Sequence, residues 1–385
     1  MLFVAIILIA EFLDFRWLEQ WPARGRRLLR TPSQRQSRAG PAKVALVQNR
    51  WNKNVIGRLG LGALSHERTQ SVQLILDALR GQDFTVQVFE GDMSLLHGLH
   101  EFLPTDPLTG APGGLVLNLA AGVQGRGRSC QVPAMLEMAG VAYTGPDPIA
   151  QACLLDRYAL MMLLRQAGLC TPRVKLTSSG RDDLGDLRFP LVVRPRYELA
   201  AYRTVVRHHQ ALDAAVEHIV RTYAQEALIE APEMFPEIRV SLLGKTLGNT
   251  NLGNGTIECL PLLQVDASGK RTCPAPIDET LAERIRDCAR TAYAAVGCRD
   301  YARIDIRLTA RGKLHVVGVH AVGIFARNGS FAQSAAQAGY SFGDLMLRVV
   351  DVAWSRYGCA PALPTPAERE PHRAVELLER KVAAK

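Results

Sequence analysis

From Lys43 onward the chain alternates between two hydrophobic rhythms. KVALVQ is a short apolar run of the buried-strand type. QSVQLILDALRGQ spaces its apolar residues for a helix closing on Gly81. FTVQVFEGD alternates like a strand, LPTDPLTGAPGG reads as a loop, and LVLNLAAG reads as another buried strand. VPAMLEMAGVAYTG predicts a helix ended by Gly140 and then a short strand. Strands alternating with helices predict an open, mainly parallel α/β lobe over residues 41–148.

The rhythm then changes. LLDRYALMMLLRQAG predicts a helix capped by Gly168, and FPLVVRPR, RTVVRH and EALIEAP give strands around the helix QALDAAVEHIVRTY. This is a small α+β lobe, residues 149–228. Residues 229–360 form a larger lobe. It mixes the strands IRVSLLGKT, ARIDIRL and KLHVVGV with the helices ETLAERIRDCARTAYAAVG and FGDLMLRVVDVAWSRYG. The tail, 361–385, carries the charged amphipathic pattern TPAEREPHRAVELLERKVAAK. No internal repeat is visible.

Composition changes this picture little. A hydrophobic fraction of 48% with 22% charged residues suits a soluble globular protein. The net charge of +9 would fit a nucleic-acid or membrane partner. However, much of the excess sits in Arg16, Arg24, Arg26, Arg27, Arg30, Arg35 and Arg38, and no nucleic-acid-binding motif accompanies it, so nucleic acid is set aside. Residues 1–40 form an apolar then basic leader. Its apolar run, MLFVAIILIA, is too short for a span of ~20 residues and lacks a signal-peptide start and cleavage site. Either it touches an anionic membrane surface, or it is an early start codon or a disordered leader, which is the preferred reading. Eight scattered cysteines without a C-x-x-C pair point to a reducing, cytoplasmic setting and away from disulfides or structural zinc.

Several blocks, in order, resemble the D-alanine–D-alanine ligases of the ATP-grasp superfamily over residues 43–355. They are LVLNLAAGVQGRGRSCQVPAMLEMAGVAYTG with the following LLDRYALMMLLRQAG, then FPLVVRPR, EALIEAPEMFPEIRVSLLGK, CPAPIDETLAERIRDCARTAYAAVGCRDYARIDIRL and AQSAAQAGYSFGDLMLRVVDVA. The resemblance implies an ATP-grasp fold of three lobes. It also implies a reaction in which ATP phosphorylates one amino acid's carboxylate and a second amino acid's amine attacks the acylphosphate, with Mg²⁺ neutralising the phosphates.

Position by position, the implied site is only partly present. The family places an Asp after an Arg on one strand, and Asp305 after Arg303 matches. Its Glu-x-Asn on the next strand becomes Gly318 and His320. Glycine offers no ligand and imidazole prefers softer metals, so a two-magnesium site of the family's form is not encoded. In the phosphate lid Glu198 persists, but Leu199 replaces a glycine and the hydroxyls are gone, leaving Arg203 as a substitute. Arg157 and Arg194 stand where the family has lysines. They would grip phosphate bidentately, or pair with a carboxylate across the cleft. Glu230 and Glu237 fall at the hinge and ribose positions, with a strand salt bridge as the alternative for Glu237. LSHERTQS places Glu67 where an α-ammonium would be held. Arg303 matches the arginine that polarises the oxyanion, or simply pairs near Asp305. Among the substrate positions His-Gly becomes Ala121-Gly122, Gly-Glu becomes Gly125-Arg126, and ARNGSFA puts Ser330 one residue from the expected serine.

Two functional readings follow. The preferred one is a non-catalytic or regulatory descendant that keeps the fold and binds nucleotide, because the losses concentrate in the cleft while the apolar periodicities are intact. The alternative is an active ATP-dependent carboxylate–amine ligase with altered metal ligands, for which Glu258 or Asp266 would have to replace the missing acid. A degenerate cleft would place Phe325, Tyr202 or Leu199 in the nucleotide's space. Either way ATP is the expected cofactor and Mg²⁺ is doubtful. The expected partners are nucleotide and amino-acid ligands together with a second copy of the chain or a paralogue.

Overall fold

A computed structural model of the protein describes residues 42–49, 66–82, 84–108, 110–197, 202–232, 236–244, 257–309, 312–321 and 325–357, with side chains in the first helix from residue 71. The leader, the tail, Glu198, Leu199 and the side chain of Glu67 lie outside the described residues.

The first sheet is parallel, in the order β2-β1-β3, with β1 at Lys43–Gln48, β2 at Thr85–Glu90 and β3 at Leu115–Asn118. The short strand predicted near Tyr143 is a single parallel bridge to Val116. The four inner residues of β1 are apolar because both of its faces are covered. Val44 and Leu46 pack with Ile75 and Leu79 of α1 (His66–Arg80). Ala45 and Val47 pack with Leu95 and Leu99 of α2 (Leu95–Phe102) and with Val132 and Leu136 of α3 (Arg128–Met138). The sequence pattern did not predict α2, whose apolar stripe is short and interrupted by Gly98. That glycine lets the helix lie close on β2, since a Cβ there would stand 2.8 Å from the Phe89 ring.

The run LLDRYALMMLLRQAG is two helices rather than one. α4 (Pro148–Leu155) ends where Asp156 turns out of helical conformation, and α5 (Arg157–Gln166) begins immediately after. The Asp156 carboxylate accepts from the backbone amides of Tyr158 and Ala159, so an acidic N-cap restarts the chain. A second, antiparallel sheet follows, built from Val174–Thr177 (β4), Leu191–Pro195 (β5), Thr204–Val206 (β6) and Ala227–Glu230 (β7) in the order β4-β7-β5-β6. Leu191, Val193 and Ile229 pack beneath Leu212, Val216 and Ile219 of α6 (His209–Tyr223). Alternation therefore turns Val192, Arg194 and Glu230 to the other face.

The third sheet runs β11-β10-β8-β12-β13, with β9 also on β8. The strands are Glu237–Gly244 (β8), Ile257–Cys259 (β9), Leu263–Val265 (β10), Arg271–Thr272 (β11), Asp300–Leu308 (β12) and Leu314–His320 (β13). Ile238, Val240, Leu242, Ile304, Ile306 and Val319 share a core with Ile285, Ala289 and Tyr293 of α7 (Glu279–Val296). α8 (Ser330–Gln337) and α9 (Phe342–Arg356) are the last described helices, and Ser341 and Asp344 form a reciprocal capping box at the start of α9. Among the described residues no helix is long and apolar enough to cross a membrane. The seven described cysteines are free thiols. Burial pushes the Cys288 thiol up to about 11, which disfavours a thiolate nucleophile there.

Candidate functional site

The face of the third sheet away from α7 is polar because its strands alternate. Register sets Glu237, Arg239 and Ser241 of β8 opposite Arg307, Asp305 and Arg303 of β12, respectively. Across the next ladder Asp305 faces Gly318 and Arg303 faces His320 of β13. A β-bulge follows Asp305, where Ile306 pairs with Val316 and leaves Val317 as the extra residue. That residue's carbonyl accepts from Arg157 Nη1 at 2.8 Å, so the bulge is where α5 meets this sheet.

Two carboxylates organise the charges. Glu230 is 1% exposed. Its Oε2 accepts from Arg157 Nε at 3.0 Å and Nη2 at 2.8 Å, and its Oε1 lies 2.9 Å from Arg194 Nη2. Both arginines predicted as phosphate grips thus meet the glutamate predicted at the hinge. Together they carry one positive charge more than Glu230 cancels. Asp305 Oδ1 accepts from Arg303 Nε at 2.8 Å, and its Oδ2 from Arg303 Nη2 at 3.0 Å. His320 Nε2 is also 3.0 Å from Oδ2. Burial opposes ionisation of Asp305, but His320 and Arg303 outweigh it and hold the carboxyl below the usual carboxylate range.

These partners decide whether magnesium fits. Mg²⁺ needs converging hard oxygens in near-octahedral geometry. At Asp305 both oxygens are engaged by cationic or N–H donors, Gly318 supplies nothing, and the other neighbour is imidazole. Neither suggested replacement acid is nearby in role. Glu258 accepts from the Tyr340 hydroxyl at 3.1 Å, and Asp266 holds the turn amides of Ser268 and Lys270. Among the described residues no group of three or more acidic, histidine or cysteine side chains could hold a metal ion. The residues present do not fit Mg²⁺.

The remaining predicted positions divide similarly. Glu237 accepts from Arg307 Nη2 at 2.6 Å and from Arg239 Nε at 2.9 Å, and Arg239 reaches the Ser330 hydroxyl at 2.7 Å. The sequence reading passed over Arg239 and Arg307. Their signal was available: ARIDIRL and EIRV place charges at every second residue of strands that are otherwise apolar. Phe325 and Tyr202 do not act as plugs. Phe325 packs edge-on against Tyr301 and Phe331 in the core, and Tyr202 packs against His218 beside α6. Arg126 donates to the Ala224 carbonyl at 3.0 Å, bridging the first lobe to the end of α6.

Beside the hinge lies a cavity of about 770 Å³. Buried Arg157 and Glu230 form part of its wall, and exposed Arg165, Arg173, Arg188 and Lys313 also line it. Of the four exposed cations, Arg173 has a carboxylate partner, Asp186, while Arg165 and Arg188 donate to carbonyl oxygens. The cavity is therefore positively charged.

Comparison with known proteins fits this arrangement. Residues 177–351 match the family described as D-ala D-ala ligase C-terminus. An uncharacterized protein of Sinorhizobium fredii, y4sG, is 37% identical over 287 residues, which is 70% of this chain and 82% of that protein. A D-alanine–D-alanine ligase of Desulforudis audaxviator is 27% identical over 250 residues, 60% of this chain and 78% of the other. Among solved structures, the D-alanine–D-alanine ligase of Bacillus anthracis complexed with ATP superposes with a TM-score of 0.63 at 17% identity, covering 83% of this chain and 99% of that one. From fold and sequence together, this chain belongs to the D-alanine–D-alanine ligase-like proteins of the ATP-grasp superfamily.

Proposed function

We propose that this protein is a nucleotide-binding, non-catalytic descendant of the ATP-grasp ligases, with a sensing or regulatory role. The observation that carries the reading is the engagement of Asp305. The one acidic group retained at the metal position has its oxygens taken by Arg303 and His320, so it cannot also anchor the cation on which phosphoryl transfer depends. ATP itself remains a suitable ligand. The cavity beside the hinge is positively charged, and the Arg157–Glu230–Arg194 cluster leaves a net positive charge for phosphate oxygens. Glu237 would serve the ribose only by sharing its oxygens with Arg239 and Arg307.

In chemical terms the chain's own residues bind and orient but have no acceptor step to drive. Arg303, which would otherwise point donors at a developing oxyanion, has its Nε and Nη2 committed to Asp305. The test is a calorimetric titration of the full chain with ATP, with and without Mg²⁺, followed by phosphate release in the presence of an amino-acid pool. ATP binding without phosphate release is expected. Amino-acid-dependent phosphate release would instead establish the alternative, an active carboxylate–amine ligase.

A further inference from the structure

We propose that Gly318 and His320 work as one device that puts the chain's own nitrogen donors in the place of a divalent metal at Asp305. It deepens the functional reading above, which already uses the engagement of Asp305 by Arg303 and His320, by adding the placement of Gly318. Asp305 and Gly318 are directly paired across the ladder, and Arg303 and His320 are the next pair on the same face. His320 is therefore a diagonal neighbour of Asp305, and to reach it the ring must cross the space above Gly318. The ring does so: a Cβ built on Gly318 would lie 2.7 Å from His320 Nε2, the same atom that stands 3.0 Å from Asp305 Oδ2. Backbone conformation does not call for a glycine here, since Gly318 is not among the positive-φ glycines. The absent ligand at 318 and the imidazole at 320 thus depend on each other. A carboxylate at 318 would be displaced by the ring, and the ring without the glycine would lose its path to Asp305.

The consequence is a carboxylate whose partners are built in. Arg303 and His320 face Asp305 together, and His320 keeps 33% of its side chain open to solvent. The metal replacement does not rest on the nucleotide-binding reading.

Manganese binding, read by electron paramagnetic resonance on the full chain, tests the device with no nucleotide present. Failure of the nucleotide reading therefore leaves its outcome unchanged. Wild type, Gly318→Glu and His320→Asn are expected to bind no stoichiometric Mn²⁺. The double variant G318E/H320N adds a carboxylate, removes the ring and leaves Arg303 as the one group the ion must displace from Asp305; it is expected to gain one site, at least tenfold tighter than either single variant. Tight binding by wild type, or by Gly318→Glu as strong as by the double variant, overturns the proposal. A second measurement covers the case in which the carboxylate variants fold poorly. Gly318→Ala should lower the Tm by a few degrees, about 2–4 °C for each kcal/mol lost, and the same change made in a His320→Ala background should have almost no effect. Equal losses in the two backgrounds would show that the ring does not own that space.

Discussion

Glu230 and Asp305 are each a buried carboxylate held between two nitrogen-donor side chains, yet the two clusters differ in closure and in what they join. Glu230 ends β7, and its partners come from α5 and from the neighbouring strand β5, with Arg157 continuing to the Val317 carbonyl on the third sheet. It ties two sheets together and is 1% exposed. Asp305 is held by Arg303 two residues away and by His320 across one ladder. It ties nothing distant, and one partner faces solvent. A closed cluster spanning lobes carries stability, whereas an open one within a single sheet is placed to meet a ligand.

Substitutions should separate the two clusters by the size of their effects. Glu230→Gln should have the largest effect, because it leaves two buried guanidinium groups facing each other. We expect a loss of about 3–5 kcal/mol by urea denaturation, with the slope unchanged. A loss no larger than that at Asp305 would break the comparison. Asp305→Asn should cost about 1.5–3 kcal/mol near neutrality, the scale of hydrogen bonds to charged groups. Its pH dependence has a definite sign. The folded carboxyl is held below its unfolded value, so the stability it adds is present above about pH 4 and disappears as the pH falls toward the depressed folded value. Wild type and Asp305→Asn should therefore converge in acid, and curves that stay parallel down to pH 2 would contradict the ion-pair account. The smallest effect belongs to the exposed pair at the cavity, Arg173–Asp186 at 2.7 Å. Asp186→Asn should cost under about 1 kcal/mol, and the cost should shrink as salt is added. That result would sharpen the link between closure and stability.

Much of the fold was legible because it rests on local rules. KVALVQ is apolar at every inner position because both faces of β1 are covered, and ETLAERIRDCARTAYAAV keeps its apolar stripe because only one face of α7 is. What escaped was short or interrupted. α2 and α8 have eight residues each, β10 and β11 fewer, and the break at Asp156 lies in an unbroken helical rhythm that only the cap reveals. At the site, the residue types were legible and their partners were not. Arg157 could equally have met a ligand or a carboxylate, and its choice of Glu230 is a contact across 73 residues. Arg239 and Arg307 went unnoticed because charged residues on an apolar strand look like solvent-facing positions until register gives them Glu237.

The order of the elements, the alternation that puts Arg303, Asp305 and Arg307 on one strand face, and the absence of an acidic side chain at 318 are all read directly from the residues. These follow from the period of a strand and from residue identity, which need no distant partner. Packing between elements places Glu230 between Arg157 and Arg194, and carries the His320 ring across Gly318 to Asp305. A charged side chain takes the partner that register and lobe packing bring within about 3 Å, and neither of these is written in the residues on its own strand.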